Sequence, residues 1–248
     1  MPAAGRLRHV AAVLLRPERR ARRARLRRLG ALVVSAAPAA ELDHLVVAGA
    51  TLAQAIEYVG DLTGVAPRPG GQHTAMGTHN ALVRLGRRVY LELIAIDPGL
   101  PRPARPRWFD LDDPAMQSAL GDQPRLIAWV ARTSDIERAV ASSTVDPGPM
   151  HPMSRGDFRW RITVPDDGRR RGGGVLPTLI QWDVAKHPAD GLPDGGVSLV
   201  ELAASHPDPA AIRAALAAIG LGDALRVTYG AVPRLAAMLR TRRGLVTL

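Results

Sequence analysis

Short apolar runs alternate with amphipathic helical patterns along the chain from residue 41 onward. Residues 42–47 form an apolar run that predicts a strand, and residues 52–62 place apolar side chains at helical spacing. Thr51 is a suitable N-cap for this helix, and Thr63-Gly64 is a suitable end. The rest of this first unit comprises predicted strands at residues 78–85 and 89–96, a turn at Gly86-Arg87, and room for one more strand near residues 71–76.

The same order of elements recurs twice further along the chain. Repeated units of this kind predict an α+β fold whose sheets pack on one another to bury their apolar faces. The second unit comprises strands at residues 126–131, 158–164 and 178–182 and a helix capped by Ser134 or Asp135 that extends to Val140; the third, partial unit comprises a strand at 197–203, a helix at 209–219 capped by Asp208, and strand candidates at 226–229, 234–240 and 245–248.

This pattern also predicts the organisation of the chain. Residues 1–40 are an arginine-rich extension, and residues 41–248 form one domain. The three units cover about residues 41–97, 125–185 and 196–248, and a proline-rich connector at residues 97–107 follows the first. No sharp boundary divides the chain into independent domains.

Composition narrows the chemistry that is available. The sequence has no cysteine, which excludes disulfides, thiolate catalysis and cysteine-ligated zinc or iron–sulfur sites. Any metal site must therefore use His, Glu, Asp or Gln. Lys186 is the only lysine among many arginines, and this bias, with abundant Ala, Gly and Pro, is typical of a GC-rich bacterial genome.

The net charge of +10 is concentrated in one segment. Residues 1–40 contain ten arginines and a single acid, Glu18, so this segment carries +9 and residues 41–248 carry only +1. A nearly neutral domain lacks the electrostatic footprint of a nucleic-acid-binding protein, and nucleic acid is not an expected partner.

The basic segment has three interpretations. Its apolar pieces, residues 10–15 and 29–40, are each too short to span a bilayer. Residues 31–40 resemble the core of a signal peptide, although the basic region before them is unusually long for one. We favour a poorly ordered extension over a cleaved signal or a targeting or nucleic-acid-binding segment. We expect a cytoplasmic protein without a membrane segment.

Two ionisable residues stand out in apolar strands. Glu92 is the one acid within residues 89–96, and His44 lies within residues 42–47. A buried carboxylate is costly unless it is paired, protonated or bound to a cation. One interpretation is a shared functional site. The other is purely structural, with His44 bonded to a backbone carbonyl and Glu92 paired with an arginine such as Arg84.

Two further polar groups are candidates for binding. His79 lies between Thr78 and Asn80, after residues 73–77, in a polar and glycine-containing stretch that suits either contacts between a ligand and the backbone or ordinary loop hydrogen bonding. Arg159, Arg161 and Thr163 share one face of a strand, which suits an anionic substrate or simple solvation. The run 172–174 of three glycines lacks a Walker lysine and is interpreted as a loop.

Seven linked motifs follow one another along the chain, at residues 42–47, 73–80, 90–97, 106–109, 153–157, 160–163 and 177–183. Together they resemble the glyoxalase-like group of the vicinal-oxygen-chelate superfamily. The resemblance covers residues 41 to about 185 and extends toward the C-terminus. It implies paired βαβββ units that form half-open mixed-sheet barrels around a pocket.

The resemblance also implies a metal site. Members of the superfamily commonly bind a divalent metal through one residue on the first strand and one on the last strand of each unit. Those positions fall on His44 and Glu92 in the first unit, and on Ala128 and Gln181 in the second. Alanine cannot ligate and glutamine is a weak ligand, so the pattern is incomplete. Zn, Mn, Fe or Ni would suit a His and carboxylate site.

Two hypotheses of function follow. The leading one is a metal-dependent lyase, isomerase or dioxygenase acting on a small oxygenated metabolite. The alternative is a metal-free protein that binds or sequesters a small molecule, in a pocket that the tryptophans line. A homodimer is a further expectation. The assigned site consists of catalytic Glu92 and His79, substrate-binding Met76, Thr78, Asn80, Arg155, Arg161 and Trp129, and metal ligands His44, Glu92 and Gln181.

Overall fold

A computed structural model describes residues 40–248 of the chain. Of the extension expected at residues 1–40, residues 1–39 lie outside the described part of the chain, and Ala40 is instead the first residue of strand β1 (Ala40–Ala48). Within residues 40–248 no helix is both long and apolar enough to cross a membrane.

The first two units build one eight-stranded mixed sheet. The strands are β1 (Ala40–Ala48), β2 (Arg68–His73), β3 (Thr78–Gly86), β4 (Val89–Ile96), β5 (Arg125–Thr133), β6 (Met150–Arg155), β7 (Phe158–Thr163) and β8 (Thr178–Trp182). Their order in the sheet is β2-β3-β4-β1-β5-β8-β7-β6, so the first strand of each unit pairs with the last strand of the same unit. Both of these pairs, β1 with β4 and β5 with β8, are parallel, while β1 and β5 are antiparallel and join the units.

This sheet is nearly closed, which confirms the predicted fold class. Arg155, on the edge strand β6, reaches Asn80 on β3 and His73 on β2 at the opposite end of the sheet. The two edges of the sheet therefore meet around a common interior. Each unit also contributes a helix, α1 (Leu52–Thr63) and α3 (Ile136–Ser142), and α2 (Pro114–Asp122) lies between the units.

Alternate residues along the strands serve two different cores. On β1, Leu45 and Val47 belong to the core shared with the helices, and Val46 faces the interior of the sheet with Ile94 and Val130. His44 has the same parity as Val46 and pairs with Tyr90, two residues before Glu92. The strand periodicity therefore turns His44 and Glu92 into the enclosed interior.

The third unit has the same order of elements and a different pairing. The elements are β9 (Ser198–His206), α4 (Pro209–Ala218), β10 (Arg226–Tyr229), β11 (Arg234–Thr241) and β12 (Gly244–Thr247). Its sheet is separate, with the order β10-β9-β11-β12, so its first strand lies between the second and the third. Here β9 is parallel to β10 and antiparallel to β11. Leu202 and Leu239 pack into the same core as α1 and the outer face of the large sheet.

The helix ends follow the predicted capping chemistry. The Thr51 hydroxyl accepts a hydrogen bond from the Gln54 N–H, and Gly64 ends α1 in the left-handed conformation with φ 71°. Asp135 and Asp208 cap α3 and α4 in the same way. Local hydrogen bonding thus determines where these helices begin.

Two elements lie outside the sequence predictions. Helix α2 begins after Asp113, whose carboxylate accepts from two backbone N–H groups, and has proline in its first turn. Strand β6 is half-exposed and contains Pro152, as an edge strand tolerates. Neither segment has the continuous apolar pattern from which the other elements were predicted.

Trp129 offers a test of this core. It is fully buried on the outer face of β5, and its indole N–H donates to the Val175 carbonyl at 2.8 Å. We expect Trp129→Phe to lower the free energy of unfolding by about 1–3 kcal/mol, because a buried carbonyl loses its donor. Chemical denaturation measures this. Tyr229→Phe, at a side chain that is 75% exposed, is the control, and equal stability of both variants contradicts the assignment.

Candidate functional site

A β-bulge in β1 determines the orientation of Asp43. Leu42 pairs with Ala131 and His44 pairs with Val130, so Asp43 has no partner of its own across the ladder. A bulge of this kind re-aims side chains that would otherwise alternate between faces. Asp43 consequently lies beside His44, with 2.7 Å between Asp43 Oδ1 and His44 Nδ1. Both side chains are buried.

The other ring nitrogen of His44 faces Glu92. His44 Nε2 lies 3.5 Å from Glu92 Oε2, and Asn80 Nδ2 donates to Glu92 Oε1 at 2.6 Å. Arg84, the arginine considered as a partner for Glu92, donates instead to the Gly86 carbonyl. The His44 imidazole therefore lies between two buried carboxylates.

This arrangement sets the charge of each member. Burial alone would lower the pKa of His44, but its contacts with Asp43 and Glu92 outweigh burial and raise that pKa to about 9. Burial raises the pKa of Glu92, and the hydrogen bond and charge of His44 reverse this and lower it to about 2. At neutral pH the ring is an imidazolium and Glu92 is a carboxylate.

Asp43 joins a second set of donors behind His44. Its Oδ2 accepts from Trp182 Nε1 and His187 Nε2, each at 3.0 Å, and lies 3.8 Å from Arg132 Nη1. His187 Nδ1 accepts from the Ala189 N–H, so the ring proton of His187 is assigned to Nε2. Burial opposes ionisation of Asp43, but the His187 and His44 contacts hold its pKa well below the usual range.

Tyr90 completes the packing of the imidazolium. Its ring stacks on His44 with centroids 4.5 Å apart and planes inclined by 17°. Burial, followed by the charges of Asp43 and Glu92, raises the pKa of the Tyr90 hydroxyl. The phenol therefore stays neutral and serves as an apolar wall with a polar tip.

On the other side of Glu92 lies a neutral histidine. Arg155 Nη1 lies 3.1 Å from His73 Nε2, and a guanidinium can only donate, so His73 Nε2 is the acceptor. The His73 proton is then on Nδ1, 3.2 Å from Thr78 Oγ1. Burial, which the nearby charge of Glu92 opposes and that of Arg155 reinforces, lowers the pKa of His73 to about 4. Arg155 also donates to Asn80 Oδ1 at 3.0 Å.

These groups line a small cavity inside the sheet. Its volume is about 30 Å³, enough for one or two water molecules. The polar side comes from the first unit and Arg155, and the opposite side is aromatic and aliphatic. The lining residues are His44, His73, Asn80, Tyr90, Glu92, Trp108, Phe109, Arg155, Trp160, Ile162, Ile180 and Trp182.

Several residues assigned from the sequence come together here. His44, Glu92, Asn80 and Arg155 all line the cavity. Thr78 is fully buried and contacts His73 through its hydroxyl. The remaining member of the group, Met76, is buried in the interior core without lining the cavity.

Four other assigned residues lie elsewhere, and strand parity explains each. The His79 side chain is turned away from Asn80 and lies 3.5 Å from Asp97. Gln181 accepts from the Ile136 N–H at the start of α3, while its neighbours Ile180 and Trp182 line the cavity. Arg161 pairs with Asp183 and Glu137 on the outer surface, and Trp129 is in the outer core.

Sequence reasoning missed Asp43, His73, Tyr90 and His187 as members of the site. Simple alternation places Asp43 on the face opposite His44, and only the bulge brings the two together. His187 is 144 residues from Asp43 in sequence, and no local pattern connects them. His73 and Tyr90 lie inside recognised motifs, and the alternation of strand faces could have identified both. Tyr90 is two residues before Glu92 on the same strand, and His73 pairs with Thr78, two residues before Asn80.

The residues present do not fit a divalent metal. Across residues 40–248, no group of three or more His, Asp or Glu side chains is arranged as a metal site. Without a cation at the site, the contacts of His44 with Asp43 and Glu92 favour the protonated ring, and a protonated ring has no lone pair to donate. Arg155 places a cation beside His73 and Asn80. The second unit contributes apolar Ala128 and Ile180 in place of ligands.

Comparison with known proteins agrees with this architecture. The model of a family described as a glyoxalase-like domain matches residues 42–220. No curated protein matches the chain. A crystal structure of a hypothetical protein from Staphylococcus aureus has a TM-score of 0.54 at 15% identity, covering 79% of this chain and 88% of that one.

Two methylmalonyl-CoA epimerase structures are more distant. The Mycobacterium tuberculosis enzyme has a TM-score of 0.37 at 21% identity, covering 59% of this chain and 89% of that one. A variant of the Streptomyces coelicolor enzyme, in complex with 2-nitronate-propionyl-CoA, has a TM-score of 0.36 at 18% identity, covering 60% of this chain and 98% of that one.

The paired βαβββ units and the cavity inside their sheet define a protein of the vicinal-oxygen-chelate class. Within that class, the chain belongs to the glyoxalase-like domain family.

The charged state of His44 predicts a pH dependence of stability. Its pKa is about 9 in the fold against 6.5 for a free histidine, so its stabilisation is complete below pH 6.5 and is lost as the pH rises through 9. We expect the free energy of unfolding to fall by a few kcal/mol over that range. Denaturant unfolding at a series of pH values measures it.

A matched pair of variants isolates the effect. His44→Gln should lack this alkaline loss, whereas His206→Gln, at a half-buried histidine on β9 outside the cavity, should retain it. An identical alkaline slope in wild type and His44→Gln would show that His44 is not the group responsible.

Proposed function

We propose that this protein binds a small oxygenated metabolite in the cavity of the first two units, without a divalent metal. The cavity is largely apolar on one side and polar on the other, as small-molecule sites usually are. The polar groups are held by buried hydrogen bonds and ion pairs, so the polar side of the site is organised before a ligand arrives. Because the cavity has room for only one or two water molecules, the ligand must be small and lining side chains must shift to admit it.

The observation that carries the proposal is the pairing of both His44 ring nitrogens. Nδ1 is 2.7 Å from the Asp43 carboxylate and Nε2 is 3.5 Å from the Glu92 carboxylate. A divalent ion would have to displace the Nε2 proton and then compete with the Arg155 charge nearby. An imidazolium thus supplies the positive charge that Glu92 requires, and a metal is not needed for that purpose.

The same groups define how a ligand is held. Arg155 offers guanidinium N–H groups, and Glu92 offers a carboxylate acceptor for a ligand hydroxyl. Trp108, Trp160 and Trp182 supply aromatic surface for its carbon atoms. A molecule with oxygen on one side and hydrocarbon on the other fits these walls.

A metal-dependent enzyme of the same superfamily is the second candidate. The observation in its favour is that His44 and His73 both approach Glu92, with His73 Nε2 3.9 Å from Glu92 Oε1. In that interpretation His44 gives up its Nε2 proton, and His44, His73 and Glu92 become the ligands in place of Gln181. Glu92 remains the group next to the reacting oxygen, and the catalytic role assigned to His79 has no contact with the cavity to support it.

Metal addition separates the two candidates. We expect salts of Zn, Mn, Fe(II) and Ni to leave the melting temperature of the purified protein unchanged. A metal that binds specifically would instead raise the melting temperature. At a free metal concentration 100 times its Kd, it would raise the free energy of unfolding by about 2.7 kcal/mol. A rise that disappears in Glu92→Gln but persists in Glu137→Gln, at a surface glutamate, would establish the metal-dependent candidate.

A ligand screen tests binding directly. The three cavity tryptophans should report a bound metabolite as a stoichiometric change in fluorescence, with no chemical change in the compound. We expect Glu92→Gln to weaken binding by roughly tenfold, since it removes a charged hydrogen bond. Turnover of the bound compound would contradict a purely binding role.

A further inference from the structure

We infer that the ligand of this cavity is a small organic carboxylate whose carboxyl group is bound by Arg155. This inference rests on the proposed function and specifies the chemical class of the ligand. Three features of the described residues support it: the pairing state of Arg155, the space around its side chain, and a buried donor without a partner on Trp108, which lines the same cavity.

Arg155 lacks the carboxylate partner that three other largely buried arginines have. Arg107, Arg132 and Arg170 each form an ion pair with a carboxylate, on Asp112, Glu41 and Asp110 respectively. Arg84 and Arg88, which are half-buried too, also form no ion pair among the described residues, but neither of them lines the cavity. Arg155 has no carboxylate within 4.0 Å among residues 40–248, and its contacts are the neutral acceptors His73 and Asn80. A half-buried guanidinium with neutral partners exchanges them readily for a carboxylate, because charged hydrogen bonds are stronger.

Two glycines without side chains, Gly70 and Gly71, form the backbone beside Arg155. A Cβ on Gly71, whose φ is 148°, would lie 2.9 Å from Arg155 Cδ. A Cβ on Gly70 would lie 2.1 Å from Asn80 Oδ1, the atom to which Arg155 donates. Glycine at both positions lets the side chain cross from β6 to β3 over the cavity. This places the guanidinium where a ligand between the two halves of the sheet would meet it.

Trp108 supplies an independent sign of a missing acceptor. It is 5% exposed and lines the cavity, and its indole Nε1 is buried with no hydrogen-bond partner in the described part of the chain. Buried indole N–H groups normally find an acceptor. A second oxygen of the ligand, a carbonyl or hydroxyl near the carboxylate, would satisfy it.

The charge of the neighbours favours a carboxylate over a phosphate. The Glu92 carboxyl group accepts from Asn80, which Arg155 also contacts, so a dianion bound to Arg155 would lie close to a second acidic group. A monoanion meets less repulsion. The small volume also restricts the ligand to a short carbon chain.

Binding of matched anionic and neutral probes tests the inference. The probes are pyruvate and lactate, their neutral amides, and inorganic phosphate, each titrated into the full chain with tryptophan fluorescence and calorimetry. We expect one or both carboxylates to bind, with the amides weaker by about 10- to 100-fold. Arg155→Gln should weaken carboxylate binding by the same factor and leave amide binding unchanged, and Arg155→Lys should restore part of it.

Arg159→Gln is the matched control, because Arg159 lies on the same hairpin, is exposed and contacts only backbone carbonyls. Thermal melting of each variant verifies that it is folded. Equal binding of acids and amides, retention of binding in Arg155→Gln, preference for phosphate, or no binding of either carboxylate overturns the inference. The proposed function survives these outcomes if neutral metabolites bind in the cavity, and it fails separately if a metal is required.

Discussion

The His44 imidazolium between two buried carboxylates is the interaction on which the rest of the site depends. Asp43 and Glu92 could not both remain ionised in the interior without a cation between them, because an unpaired buried charge is very costly. The His44 ring supplies that cation, and its orientation is supported by stacking on the Tyr90 ring. Glu92 then holds Asn80, and Asn80 helps to hold Arg155. The polar wall is therefore one connected network.

The two halves of the large sheet have the same strand arrangement but contribute different kinds of side chains to the cavity. The first unit supplies nearly all of the ionisable groups, and the second supplies apolar side chains such as Ile180 and Trp160, with Arg155 as its one charged contribution to the cavity lining. The two units therefore share the arrangement of their strands but differ in the chemistry of the side chains that line the cavity. A half-polar cavity of this kind suits an asymmetric ligand better than a symmetric four-ligand metal site.

The third unit repeats the order of elements of the first two units but not their strand pairing. Its order of elements is that of the first two units, but β9 pairs with the second and third strands of its unit, whereas β1 pairs with the last strand of its own. Element order depends on local apolar periodicity and caps. Pairing depends on which neighbour buries the exposed face, and here that neighbour is the outer face of the large sheet with α1.

The sequence by itself determined the order of most elements, the caps of α1, α3 and α4 and the unusual setting of His44 and Glu92, because these depend on local patterning and on polar residues in apolar strands. Tertiary structure decided the remaining members. A bulge turned Asp43 toward His44, sheet closure brought Arg155 to Asn80, and parity turned Gln181 outward. A shift of one residue in a strand reverses the face of every side chain, and local sequence does not specify that register.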